Sequence, residues 1–138
     1  MTQLPRTSRI LVAEDDTRVA RVLGQLLRED AYDVEVVSDL DAAVARLSRG
    51  PAPDVVVTDL RRPFGADMAV ISCARAARSG LPIVVIASDV WHAQQIHQSM
   101  SPPPKVLPKP LVYEHLCEAL VALGAVGVPR PPAVITPG

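Results

Sequence analysis

At 138 residues and 49% apolar content, the chain suits a single domain that builds its core without disulfides or metals. A formal net charge of -1 lacks the basic excess of a nucleic-acid footprint, and no apolar run approaches the ~20 residues of a membrane span. Aromatics are only 3%, so Val, Leu, Ile and Ala must fill the interior.

Residues 1–8 read as an N-terminal arm without the apolar core of a signal peptide. Arg9-Ile10-Leu11-Val12-Ala13 then forms a first apolar strand that runs into Glu14-Asp15-Asp16-Thr17. Val19, Val22, Leu23, Leu26 and Leu27 recur at helical spacing to about Asp30, with Asp16 or Thr17 as N-cap. Val34 to Val37 is a second strand. A second helix is capped by Ser38 or Asp39, striped by Leu40, Ala43, Val44 and Leu47, and stopped at Gly50-Pro51. Asp54 to Thr58 is a third strand whose three valines suit burial on both faces, and it ends on Asp59. A third helix spans about Ala66 to Arg78, and Pro82 to Ala87 is a fourth strand.

Trp91 to Met100 is a weak helix with little apolar face, and its His92 and His97, like His115 further on, read as solvated surface. The run Ser101-Pro102-Pro103-Pro104 is not helical; Lys105-Val106-Leu107 is a short fifth strand. Leu116, Ala119, Leu120 and Leu123 stripe a last helix, and residues 125–138 read as a Pro-rich extended tail. Cys73 and Cys117 read as small buried thiols of a reduced, cytoplasmic protein.

Five strands alternating with five helices predict an α/β fold, a parallel sheet covered on both faces by right-handed crossovers. In a doubly wound sheet of order 2-1-3-4-5, strands one, three and five adjoin and their carboxyl ends share an edge. That edge would gather Glu14, Asp15, Asp59 and Lys109. Crowded carboxylates stay ionised at neutral pH only beside a compensating cation. Oxygen ligands with retained water suit Mg²⁺, and Lys109 adds a fixed positive charge, so the group makes an anion site for a phosphoryl group. Taken singly, Asp59 is equally a turn residue, the acidic run a favourable helix start, and Lys109-Pro110 a surface turn.

The ordered set Ile10 to Asp16, Pro53 to Asp59, Pro63, Pro82 and Lys109-Pro110 resembles the CheY-like receiver domain of two-component response regulators, over about residues 9–124. The resemblance implies the flavodoxin-like (βα)5 three-layer sandwich. It implies that Asp59 is the phosphoryl acceptor, that Asp15 binds Mg²⁺ directly and Glu14 through water, that the Arg61 carbonyl is a further ligand, and that Lys109 contacts the phosphoryl group. It also implies a histidine kinase or phosphotransfer protein as donor and a downstream protein partner. A homodimer is compatible with it; a DNA-binding domain after Gly124 is not expected. Four features depart from the pattern, one being Ser101-Pro102-Pro103-Pro104 in place of the small-residue turn before strand five. Ala87 stands where Thr or Ser is usual, with the hydroxyl displaced to Ser88. Val106 replaces an aromatic, and Gly65-Ala66-Asp67-Met68 replaces the usual Asp-Gly. Arg61 and Asp89 are expected to pair across the mouth of the site. The competing readings are a pseudo-receiver that docks without phosphate, and a phosphatase of the haloacid dehalogenase class, disfavoured because Arg61 stands where that class needs a second Asp.

Overall fold

The computed structural model describes residues 6–61 and 65–129, the side chain of Ile96 excepted; Pro63, residues 1–5 of the arm and residues 130–138 of the tail lie outside them. The chain alternates β1 (Arg9–Glu14), α1 (Thr17–Glu29), β2 (Asp33–Val37), α2 (Leu40–Leu47), β3 (Val55–Asp59), α3 (Ala66–Ala77), β4 (Ile83–Ala87), α4 (Val90–His97), β5 (Lys105–Pro108) and α5 (Tyr113–Ala122). The strands form one sheet in the order β2-β1-β3-β4-β5, and every pairing is parallel. This is the doubly wound (βα)5 sandwich that the alternation predicts.

The period-two alternation of strand side chains divides the core in two. On one face Ile10, Val12, Val55, Val57, Val84 and Ile86 pack beneath α1 and α5. On the other, Leu11, Val56, Ile83 and Val85 pack beneath α2, α3 and α4. Each such aliphatic side chain contributes about 1.5–3 kcal/mol through burial, which is why the central strands are apolar almost without interruption. No described helix is long and apolar enough to cross a membrane.

Capping sets where the helices begin. Asp16 caps α1 by accepting from the Arg18 and Val19 N–H groups, and Asp39 caps α2 through Ala42 N–H at 2.7 Å. Gly65, at φ +79°, opens α3 without a side-chain cap. Asp54 precedes β3 instead of starting it, because its carboxylate accepts the Arg9 N–H at 2.7 Å and pairs with Arg6 and Arg78.

Three departures from the sequence reading matter. The fourth helix ends at His97, short of Met100. His97 is not solvated: it is 2% exposed, and its Nε2 lies 3.2 Å from Asp67 Oδ2. A histidine in a poorly striped helix reads as surface only while its distant acid partner is unknown. The start of the tail is also engaged. Ser8 and Val126 exchange two hydrogen bonds of 2.8 Å, and Val128 N–H donates to the Ala31 carbonyl at 3.2 Å. Residues 125–129 thus strap the last helix to the α1–β2 turn.

Candidate functional site

The register of β1 on β3 sets Glu14 directly beside Asp59. Asp15 follows at the strand end, and its Oδ2 accepts the Arg61 N–H at 3.0 Å. Asp16 turns away to cap α1, so the acidic run divides between site and helix. From the other side, the Lys109 N–H donates to the Ala87 carbonyl at 3.0 Å, which fixes the residue where β5 ends. Its Nζ lies 2.6 Å from Asp59 Oδ1, a charge-assisted contact in a largely shielded place.

Glu14 is the anomalous member. It is 1% exposed, and neither carboxylate oxygen has a hydrogen-bond partner. Burial, then repulsion from Asp59 and Asp15, pushes its carboxyl up to about 8, against the opposing pull of Lys109 and Arg61. A divalent, oxygen-seeking cation would compensate a buried carboxyl without partners beside two further carboxylates. Among the described residues no three His, Cys, Asp or Glu side chains stand close enough to cage a metal alone. An ion here would complete its shell with main-chain oxygen and water, as Mg²⁺ commonly does.

Glu14, Asp59, Arg61, Ser88 and Lys109 line one crevice of about 720 Å³, whose remaining wall is mostly apolar and comes from α1, the central strands and the start of α5. A second crevice of about 670 Å³, toward α3 and α4, is lined by Thr58, Asp59, Arg61, Ser88, Asp89 and Lys109 among others. Ser88 belongs to both, so the displaced hydroxyl stands exposed at the shared mouth. The expected Arg61–Asp89 ion pair is absent from the described residues. Asp89 instead caps α4 by accepting the His92 N–H at 2.9 Å, a local contact that costs less order than reaching a neighbouring loop. Two residues escaped the sequence reading. Thr58 is fully buried with an unpartnered hydroxyl on the face opposite Asp59, and Arg18 stands on the wall of the first crevice. Neither carries a motif signal.

The sequence model of the response regulator receiver domain matches residues 10–121. The chain belongs to that family. It is therefore a domain of two-component, phosphorylation-based signalling. The receiver is 32% identical over 101 residues to the DNA-binding transcriptional regulator NtrC of Rhizobium meliloti, covering 73% of this chain and 21% of that protein. It is 30% identical over 127 residues to the transcriptional regulatory protein TcrA of Mycobacterium tuberculosis, covering 91% of this chain and 50% of that one. The chain thus spans about a fifth to a half of the length of these curated relatives. Among solved structures, a response regulator receiver protein from Sinorhizobium medicae superposes with a TM-score of 0.73 at 28% identity, over 85% of this chain and 94% of that one.

Proposed function

We propose that this receiver accepts a phosphoryl group on Asp59 from a phosphohistidine of a histidine kinase or phosphotransfer protein, and signals through protein–protein contact. The observation that carries the reading is the 2.6 Å pairing of Lys109 with Asp59 beside the buried, unpartnered Glu14. The Asp59 carboxylate attacks phosphorus, and the bond from phosphorus to the donor imidazole nitrogen breaks. The electron pair stays on that nitrogen, which takes up a proton, and an acyl phosphate forms on Asp59. Lys109 leaves its ion pair to neutralise the phosphoryl oxygens, and Ser88, which lines both crevices, is read as the displaced hydroxyl that donates to them. Glu14, Asp15, Asp59 and the Arg61 carbonyl would hold Mg²⁺, which supplies charge stabilisation for the transferring group. The receiver domain of the Pseudomonas aeruginosa sensor kinase PA1611, similar in fold at a TM-score of 0.70 and 23% identity over 87% of this chain and all of that one, is described with magnesium in its active-site cleft. That supports the same ion here.

The alternative is a pseudo-receiver that docks regardless of phosphate. Ala87 and Val106 favour it, because neither offers the hydroxyl or ring through which a phosphoryl group is usually sensed. Incubation with acetyl phosphate and Mg²⁺ separates the two readings. Mass spectrometry is expected to show one added phosphoryl group on the wild type and none on Asp59→Asn. Undiminished incorporation in that variant removes Asp59 as acceptor; an unmodified wild type favours the pseudo-receiver.

A further inference from the structure

The helix α4 is held to the domain in an unusual way. Ala93 and His97 are its only buried described side chains, and Trp91 is 69% exposed on its surface. Among the described residues, one side-chain polar contact joins α4 to another element: His97 Nε2 to Asp67 Oδ2 at 3.2 Å. Asp67 lies in the first turn of α3, eight residues after Asp59, at the far end of the loop that carries Arg61. That loop is tied at its near end as well, by the Arg61 N–H on Asp15. The histidine itself is short of partners, since its Nδ1 is buried without one. A buried imidazole satisfied at one nitrogen only is held by that single contact, and losing it leaves two polar atoms stranded.

We propose that the Asp67–His97 pair is the joint through which the phosphorylation state of Asp59 is passed to α4. The proposal rests on the reading of Asp59 as acceptor. New charge on Asp59 takes Lys109 from its present partner and alters the surroundings of Asp15 and the Arg61 N–H. The second crevice runs from Asp59 and Arg61 to Asp67, so the change reaches the first turn of α3. His97 follows Asp67 or loses it, and α4 moves with His97. Because position 87 has no hydroxyl and position 106 no aromatic ring, this contact is a polar route from the site to α4. A modification shifts a conformational equilibrium only through contacts that differ between the states, and this contact is one that can differ.

Trp91 is the only tryptophan in the chain and sits on α4, so its emission reads the position of that helix. The experiment treats the wild type, Asp67→Ala, His97→Leu and His97→Gln with acetyl phosphate and Mg²⁺. Acyl phosphate is measured by mass spectrometry, and the change in Trp91 emission is expressed per phosphorylated molecule. The wild type is expected to show an emission change; Asp67→Ala and His97→Leu are expected to form acyl phosphate as readily but lose the change. His97→Gln, whose amide can place a donor near the same point, is expected to keep part of it. Asp67 is partly exposed, so Asp67→Ala answers the question even if His97→Leu fails to fold. A purely structural contact would lower the unfolding temperature and leave the emission change per phosphate intact, and that result overturns the proposal. So does a wild type that is phosphorylated with no change at Trp91. A wild type that takes up no phosphate fails at the earlier step, and the reading of Asp59 falls first.

Discussion

Burial raises the carboxyl of Glu14 well above the usual carboxylate range, and this makes the stability of the domain depend on pH. Its folded-state value is raised to about 8 from an ordinary 4.5, chiefly by burial. Between those values the unfolded chain ionises Glu14 while the folded one keeps it protonated. The folded state then binds more protons, so stability falls as pH rises through the window. A tenfold difference in proton affinity between the two states is worth about 1.4 kcal/mol, so the metal-free domain is expected to lose a few kcal/mol between acid and mildly alkaline pH. Urea denaturation across that range should show the decline. Millimolar Mg²⁺ should flatten it by favouring the ionised form, and Glu14→Gln should abolish it. A slope that persists in Glu14→Gln would assign the effect to another group. The converse holds for Glu35, whose carboxyl is lowered by its hydrogen bonds from Arg46 at 2.6 and 3.0 Å. Its contribution is present above the ordinary carboxylate range and fades as pH falls. Because the pair is partly exposed, it is worth no more than about 1 kcal/mol.

Among the elements, α4 is lightly anchored by its described side chains. It buries Ala93 and His97 among its described side chains, whereas α1 buries Ala20, Leu23, Gly24 and Leu27. Local opening costs little where few apolar contacts are lost. The amides of α4 are therefore expected to exchange with solvent before those of α1 and α5 in native-state hydrogen exchange; equal protection would show that the His97 contact alone holds the helix firmly. The proline run after α4 does not loosen β5 in the same way. Arg75 on α3 clamps it, donating to the carbonyls of Pro102 at 2.6 Å and Leu81 at 3.0 Å. The strands were legible in the sequence because each is a short apolar run ended by a charge or a turn. The convergence of Glu14, Asp59 and Lys109 was legible because parallel strands align their carboxyl ends. What failed were side-chain choices between competing partners. Asp89 had a helix start within three residues and took it, and no ion pair with Arg61 forms among the described residues. His97 found an acid thirty residues away on another helix, and periodicity carries no information about such a pairing.

For the whole molecule, the strap formed by residues 125–129 closes the end of the sheet remote from the site. Gly127 crosses so near the α1–β2 turn that a Cβ there would collide with the Asp30 carbonyl oxygen. Tyr113 adds a second link between the last helix and that turn, its hydroxyl donating to Asp30 Oδ2 at 2.6 Å. Gly127→Ala must push one backbone off the other and is expected to cost about 1–3 kcal/mol. Urea midpoints at constant m-value would register it. An unchanged midpoint would mean that the strap lies against the domain without stabilising it. Because the strap and the acidic edge are at opposite ends of the strands, the same variant should take up phosphate at the normal rate while folded.

Glu14, Asp59 and Lys109 come from the first, third and fifth strands, and no stretch shorter than residues 14–109 holds all three. On a chain emerging from the ribosome, Asp59 is present long before Lys109. Parallel pairing of distant strands waits on the closure of long loops, so the edge is complete only when the last strand docks. Chemical competence thus arrives in one step, with the last strand. A nascent, truncated or heat-opened chain would carry Asp59 and be silent to a phosphodonor, which makes uptake of phosphate an assay of completed folding.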